Sequence, residues 1–247
     1  MTDGPVISRD SVVVLYIGGR LPSWHTLTAK QQAAASEEHV ELMLSVAKKH
    51  GMMQLEGYKL LAPIGTWQRF WPIEFPDLAG AEAWIEAETM PPYGLYGHYE
   101  YSLARRWGKE YFDTWVTNPP APVVPSTNNP AFTPNLGEDK SSTVVLLFGR
   151  AQPGTEALSP EERGDQEHID LMKSVAAEHG LMRLEAYQLI GRRVDWHRAW
   201  VIEFPTQEGA EAWMEAELRQ PHGRHAHKEY HLARKWAPDY FSSWVPR

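Results

Sequence analysis

Apolar and polar positions fall along this chain in two successive series of the same order. The first opens with Val12–Ile17, an unbroken apolar and β-branched run stopped by Gly18-Gly19, as expected of a buried strand. Thr28 with Gln31 three residues on makes a capping box and predicts helix from Ala29, and Ser36 is a second N-cap at which that helix can break and restart. From there to His50, residues His39, Leu42/Met43, Val46 and His50 share one face, and Gly51 stands where a C′ glycine belongs. Met53–Leu61 reads as a strand, Ala62–Thr66 as a turn and Trp67–Phe75 as the next strand. Ala79–Glu88 follows as a second amphipathic helix and Tyr99–Leu103 as a fourth strand, before an aromatic tail through Trp107, Tyr111, Phe112 and Trp115.

The second series repeats the first. Glu167–Val245 matches Glu38–Val116 at a constant offset of 129, without a gap and with about half of the positions identical. Its elements are a strand at Thr143–Phe148, helix from Ser159-Pro160-Glu161-Glu162 to His179, strands at Met182–Ile190 and Trp196–Phe204, helix Glu208–Glu217 and strand His227–Leu232. Between the copies, Thr117–Ser141 holds six prolines and little apolar content and reads as an extended linker. The expected organisation is a first repeat over 11–116, a Pro-rich linker over 117–141 and a second repeat over 142–247.

Each half has the β-α-β-β-α-β order of a ferredoxin-like unit, with helices on one sheet face and an apolar face left to be covered. The expected fold is therefore α+β, two tandem ferredoxin-like repeats packed as an intramolecular α+β barrel. This element order resembles the dimeric α+β barrel superfamily, with the usual homodimer built into one polypeptide. Pro22-Ser23-Trp24-His25-Thr26-Leu27-Thr28 and Leu158-Ser159-Pro160-Glu161-Glu162-Arg163 are also similar to uncharacterised darcynin-like domains. The superfamily resemblance implies a small-molecule pocket between sheet and helices. Members include cofactor-free monooxygenases, polyketide cyclases, muconolactone isomerases and, in tandem form, haem enzymes such as chlorite dismutases; fold alone does not choose among them.

Composition narrows the chemistry. With 247 residues, 43% hydrophobic content and 11 Trp, both halves can bury a core. A net charge of −8 argues against a nucleic-acid surface, which needs clustered Lys and Arg. The absence of cysteine excludes disulfides and thiolate sites, and no run approaches 18 apolar residues, so a cytoplasmic protein without membrane attachment is expected. No G-x-G-x-x-G, Walker loop, G-x-S-x-G or H-E-x-x-H occurs, which argues against nucleotide cofactors, serine hydrolysis and zincin chemistry.

Candidate site residues come from positions kept in both copies. Trp67, Arg69, Trp71, Ile73 and Phe75 share one strand face and recur as Trp196, Arg198, Trp200, Ile202 and Phe204. An arginine in that aromatic row needs a partner: an internal ion pair, a cation–π stack on Trp, or a substrate carboxylate or enolate. His98 and Glu100 share a strand face and recur as His227 and Glu229, with Tyr101 and Tyr230 directed the other way; His39 and His168 lie on the apolar face of the first helix. If His98 and Glu100 face the helices, His39, His98, Glu100 and Arg69 converge in each half, with His168, His227, Glu229 and Arg198 as their counterparts. Such a set can move a proton, or the histidine is a hydrogen-bonded core residue and the glutamate partners the arginine. Trp67, Trp71, Tyr58, Trp196, Trp200 and Tyr187 are the candidate substrate-binding residues, and Glu56-x-Tyr58 recurs as Glu185-x-Tyr187.

The leading expectation is an enzyme acting by proton abstraction on an aromatic or conjugated acid or ketone: an isomerase, cyclase, lyase or cofactor-free oxygenase. No cofactor is favoured. A divalent metal on two histidines and a carboxylate, or haem on a repeated histidine, is the second reading, and a non-catalytic small-ligand module the third. His222-Gly223-Arg224-His225 is metal-like in composition but reads as a solvated loop, because the first copy has Tyr93 and Tyr96 there. A homodimer is left open.

Overall fold

The computed structural model describes residues 4–121, 133–136, 138–191, 193, 195–238, 241 and 244. In the first repeat, β1 (Val12–Arg20) is flanked by β5 (Gly97–Arg106) and β4 (Trp67–Phe75), both antiparallel to it. The other edge of β4 carries β2 (Gln54–Glu56) and β3 (Tyr58–Ile64). Helices α1 (Ala29–Lys49) and α2 (Leu78–Glu88) cover one sheet face, where Val40, Met43 and Ala47 meet Val14, Ile73, Phe75 and Trp84. The second repeat has the same order: β7 (Asp139–Ala151) between β9 (Arg198–Phe204) and β10 (Ala226–Lys235), and β8 (Arg183–Leu189) beyond β9. Its helices are α5 (Asp165–Glu178) and α6 (Gln207–Glu217). The two halves are tandem ferredoxin-like units of an α+β protein.

Several local expectations are corrected. The helix after Thr28 runs unbroken, its capping box closed by Gln31, and the break falls instead in the second copy. There Gly164 adopts φ 68°, ending the single turn α4 (Pro160–Arg163) before α5 begins. The strand at Met53–Leu61 is two strands parted at Gly57, where a Cβ would stand 2.3 Å from the Trp236 carbonyl oxygen. That close approach lets the Trp236 N–H donate to Gly57 O at 2.8 Å. Pairing with β4 carries β3 on to Ile64, so the turn narrows to Gly65-Thr66.

The chain divides into two compact units that are drawn differently from the repeats. One holds Arg9–Ala104, 122–139 and 234–247; the other holds 1–8, 105–121 and 140–233. Each repeat is completed by the tail that follows the other. Trp107 N–H donates to Ala186 O at 2.8 Å, as Trp236 does to Gly57, and Phe112 and Trp115 enter the core of α5 and α6. Phe241 and Trp244 enter the core of α1 and α2, with Trp244 edge-on to Trp84 at 6.4 Å. Short helix α3 (Lys109–Asp113) carries Phe112. The segment expected as an extended Pro-rich linker holds a strand, β6 (Thr133–Asn135), parallel to β2, and Leu136 is buried beside it; 122–132 and 137 lie outside the described residues. Among the described residues no helix is long and apolar enough to cross a membrane.

The exchange makes a directional prediction. Trp244→Ala should cost about 3–5 kcal/mol, the usual loss for a buried Trp. Amide exchange should then rise in α2 and β4, not in α6; Trp115→Ala should do the converse. Loss of protection in α6 on replacing Trp244 would contradict the exchanged arrangement.

Candidate functional site

The sheet faces turned toward the helices carry different side chains from those expected. Along β5, Tyr99 and Tyr101 join the core beneath α1, which puts His98 and Glu100 on the opposite side. Those two pair with each other at 3.2 Å, with side chains 37% and 42% exposed, and do not meet His39. The sheet's alternation is as expected; its phase is the reverse. In β10 the same phase leaves His227 and Glu229 exposed, with Glu229 engaging His231 at 2.9 Å, and turns Lys228 inward.

His39 is met instead by a carboxylate on α2. Its Nε2 lies 3.6 Å from Glu88 Oε1, and Tyr93 stacks on the imidazole at 3.7 Å. The second repeat reproduces the arrangement with His168 Nε2 3.5 Å from Glu217 Oε2 and His222 stacked on His168 at 3.7 Å. Each glutamate closes its helix, where the macrodipole disfavours a carboxylate. That twice-kept anomaly at Glu88 and Glu217 was the available sequence signal for them. His222, expected in a solvated loop, sits in a 3₁₀ turn (His222–His225) that holds its ring against His168.

Around this shared pair the halves diverge. In the first repeat Tyr16, Tyr99 and Tyr101 fill the space between sheet and helices, with ring centroids 5.5–6.2 Å apart. Burial pushes the Tyr16 and Tyr101 phenols well above their ordinary range. A cavity of about 30 Å³ remains, bordered by His39, Glu88, Arg20 and Arg69. By strand register Tyr16 corresponds to Leu147, and by the repeat offset Tyr99 corresponds to Lys228. With those replacements the second repeat encloses a cavity of about 440 Å³, well inside the range of small-molecule sites.

The second cavity has aromatic walls, among them Trp107, Trp115, Trp200 and Trp213, and a polar side formed by His168, Glu217, His222, Lys228, Arg150 and Arg198. Lys228 Nζ donates to the Glu217 carboxylate and to its carbonyl at 2.9 Å. Burial alone would raise Glu217, but the His168 hydrogen bond and the Lys228 ammonium outweigh it and hold the carboxyl at about 2. Burial, with His168 and the Lys228 ammonium close by, depresses His222 to about 4, so it is neutral at pH 7. His222 Nδ1 lies 3.4 Å from Asp165, which in turn binds Arg163 at 2.6 Å. The Nδ1 of His168 and the Nε of Arg150 are buried without a hydrogen-bond partner among the described residues.

The arginines of the aromatic rows stack on indoles supplied by the exchanged tails: Arg69 on Trp236 at 4.5 Å and Arg198 on Trp107 at 4.4 Å. Arg198 Nε also donates to Gln188 at 3.0 Å, and burial lowers its pKa. Trp71 and Trp200 border the two cavities. Trp67 instead donates to the Arg69 carbonyl at 3.1 Å, and Trp196 packs edge-on against Phe148 at 4.9 Å. Tyr58 and Tyr187 donate to Glu56 and Glu185 at 2.7 and 2.5 Å and border neither cavity. Burial would raise Glu185, but Arg106 and Arg183 hold it at about 2. Among the described residues no group of three or more His, Asp or Glu side chains is placed to hold a bare metal ion.

No family model matches the chain, and no curated protein matches it by sequence. Solved structures match it by fold. Chlorite dismutase from Candidatus Nitrospira defluvii in complex with imidazole gives a TM-score of 0.67 at 12% identity, covering 96% of each chain. An arginine-to-lysine variant of that enzyme gives 0.69 at 12% identity over 97% of each chain. A further protein with a provisional chlorite dismutase designation gives 0.62 at 12%, over 93% of this chain and 96% of its own. At that identity the shared property is the fold of tandem ferredoxin-like halves.

Proposed function

We propose that the protein is a haem-dependent enzyme whose active site is the cavity of the second repeat. The observation that carries this reading is His168: one ring nitrogen is held by Glu217, and the other is buried beside a large aromatic cavity without a partner among the described residues. Metal-ligating histidines commonly have the second nitrogen fixed by a carboxylate, which sets the tautomer and raises ligand basicity. A single histidine also suffices as protein ligand to haem iron. His168 would therefore hold the group, Glu217 would orient the imidazole, and Lys228 would keep Glu217 ionised. His222 limits rotation of the His168 ring by stacking on it. The indoles would cover the macrocycle faces, and Arg150 and Arg198 are cations suited to its carboxylates. Haem bound there would supply a redox-active iron for a small oxidised substrate, and chlorite, named for the structural neighbours, is the first to assay.

A second reading keeps the cavity without haem. His222, neutral and on the same cavity wall as Arg198 and Arg150, would then accept a proton from a conjugated acid whose oxyanion the arginines bind.

Titrating haemin into cofactor-free protein should give a Soret band saturating at one equivalent and shifting with imidazole or cyanide. His168→Ala should abolish the band, while His39→Ala should leave it. Absence of a Soret band, or its survival in His168→Ala, would sink the haem assignment and direct screening to conjugated acids.

Glu217 carries a second prediction, for the haem-free protein. A carboxyl depressed from 4.5 to about 2 stabilises the fold above its unfolded value, and that contribution fades as pH falls from 4.5 toward 2. Glu217→Gln should lose about 3–5 kcal/mol at pH 7, because it leaves Lys228 buried and unpaired. Its deficit relative to wild type should shrink by pH 3. Urea melts at both values check this; an equal deficit at each pH would refute it.

A further inference from the structure

The first repeat holds a buried positive site that the haem reading does not use. Arg20 is 7% exposed, its guanidinium sandwiched between Trp24 and Tyr93 at 4.0 and 3.9 Å from the ring centroids. Its side-chain hydrogen bond goes to the Tyr93 hydroxyl, a neutral acceptor. Arg69, half-buried, is held by the face of Trp236. Neither guanidinium has an ion-pair partner among the described residues. Both nevertheless border the same cavity of about 30 Å³. Buried charges are ordinarily paired, and aromatic faces compensate a guanidinium only in part.

The remaining charged lining does not cancel the excess. Glu88 is the one carboxylate on the cavity wall among the described residues, and it already engages His39 at 3.6 Å. Two fixed positive charges thus face one negative charge. The volume admits one or two water-sized particles and no organic acid. Trp71, Trp84 and Phe241 close the apolar side. The second repeat lacks the feature, because in strand register Ala151 stands where Arg20 does.

We infer that this cavity is a binding site for one halide-sized monovalent anion, held between Arg20 and Arg69. The anion would complete the charge balance of the closed repeat, independently of what the second repeat binds.

Bromide is the probe. Crystals of the full chain grown without chloride and soaked in bromide should show an anomalous peak within hydrogen-bond reach of both guanidinium groups. In solution, bromide should raise the melting temperature saturably, beyond the effect of sulfate at equal ionic strength, since sulfate is too large to enter. Arg20→Met should weaken that response by about tenfold or more, as expected for losing a charge-assisted hydrogen bond. Arg198→Met, in the other repeat, should leave it intact. A water with no anomalous signal between the two arginines, or equal stabilisation by sulfate, would overturn the assignment even if the Arg20 variant fails to fold.

Discussion

A guanidinium set into an aromatic sheet face has to be covered, and in each half of this protein the cover is an indole from the other repeat's tail. Arg69 and Arg198 lie half-buried on the helix-facing side of β4 and β9, where an ion pair would need a carboxylate of its own. Trp236 and Trp107 supply a π face instead, and each anchors itself by donating its backbone N–H, to Gly57 and Ala186 respectively. The stack brings the following aromatic residues into the core: Phe241 and Trp244 in one unit, Phe112 and Trp115 in the other. Neither repeat can close its core with its own sequence alone. Each core is therefore completed by residues distant in sequence from the repeat that they close.

With the cover common to both halves, a few positions decide what space is left. Leu147 for Tyr16 removes a ring, and Lys228 for Tyr99 exchanges an aromatic stack for a flexible stem that reaches aside to Glu217. His222 for Tyr93 keeps the stacking geometry but brings a titratable ring. The result is a filled half and a half with a cavity more than ten times larger. Burial of phenols stabilises the first; the second forgoes that burial and spends its polar groups on a cluster around one histidine.

The order of elements was legible because apolar periodicity, capping residues and glycine stops report directly on local conformation. Thr28 with Gln31 and Ser159 with Glu162 close the capping boxes their spacing predicts. The phase of β5 was not legible. Alternation says that His98 and Glu100 share a face and that Tyr99 and Tyr101 share the other, but tyrosine suits a core or a surface equally, so nothing local says which is covered. Tail exchange was hidden for a related reason: Trp107 and Trp236 read as core residues without any indication of which core. Glu88 and Glu217 were visible as carboxylates at the wrong ends of helices, yet each sits far in sequence from the histidine it serves.

Retention in both copies turns out to select for fold before chemistry. His39 with Glu88 exists in the filled half, stacked and buried with no room for an organic ligand, so the histidine–glutamate pair is viable as a link between α1 and α2 by itself. The same holds for the arginine–indole stack. What gives the second half its candidate chemistry is therefore the surroundings of the shared pair: the missing ring at Leu147, the neutral His222, and the Lys228 that keeps Glu217 charged. In a duplicated chain the common residues describe the scaffold, and the differences between halves point to the site.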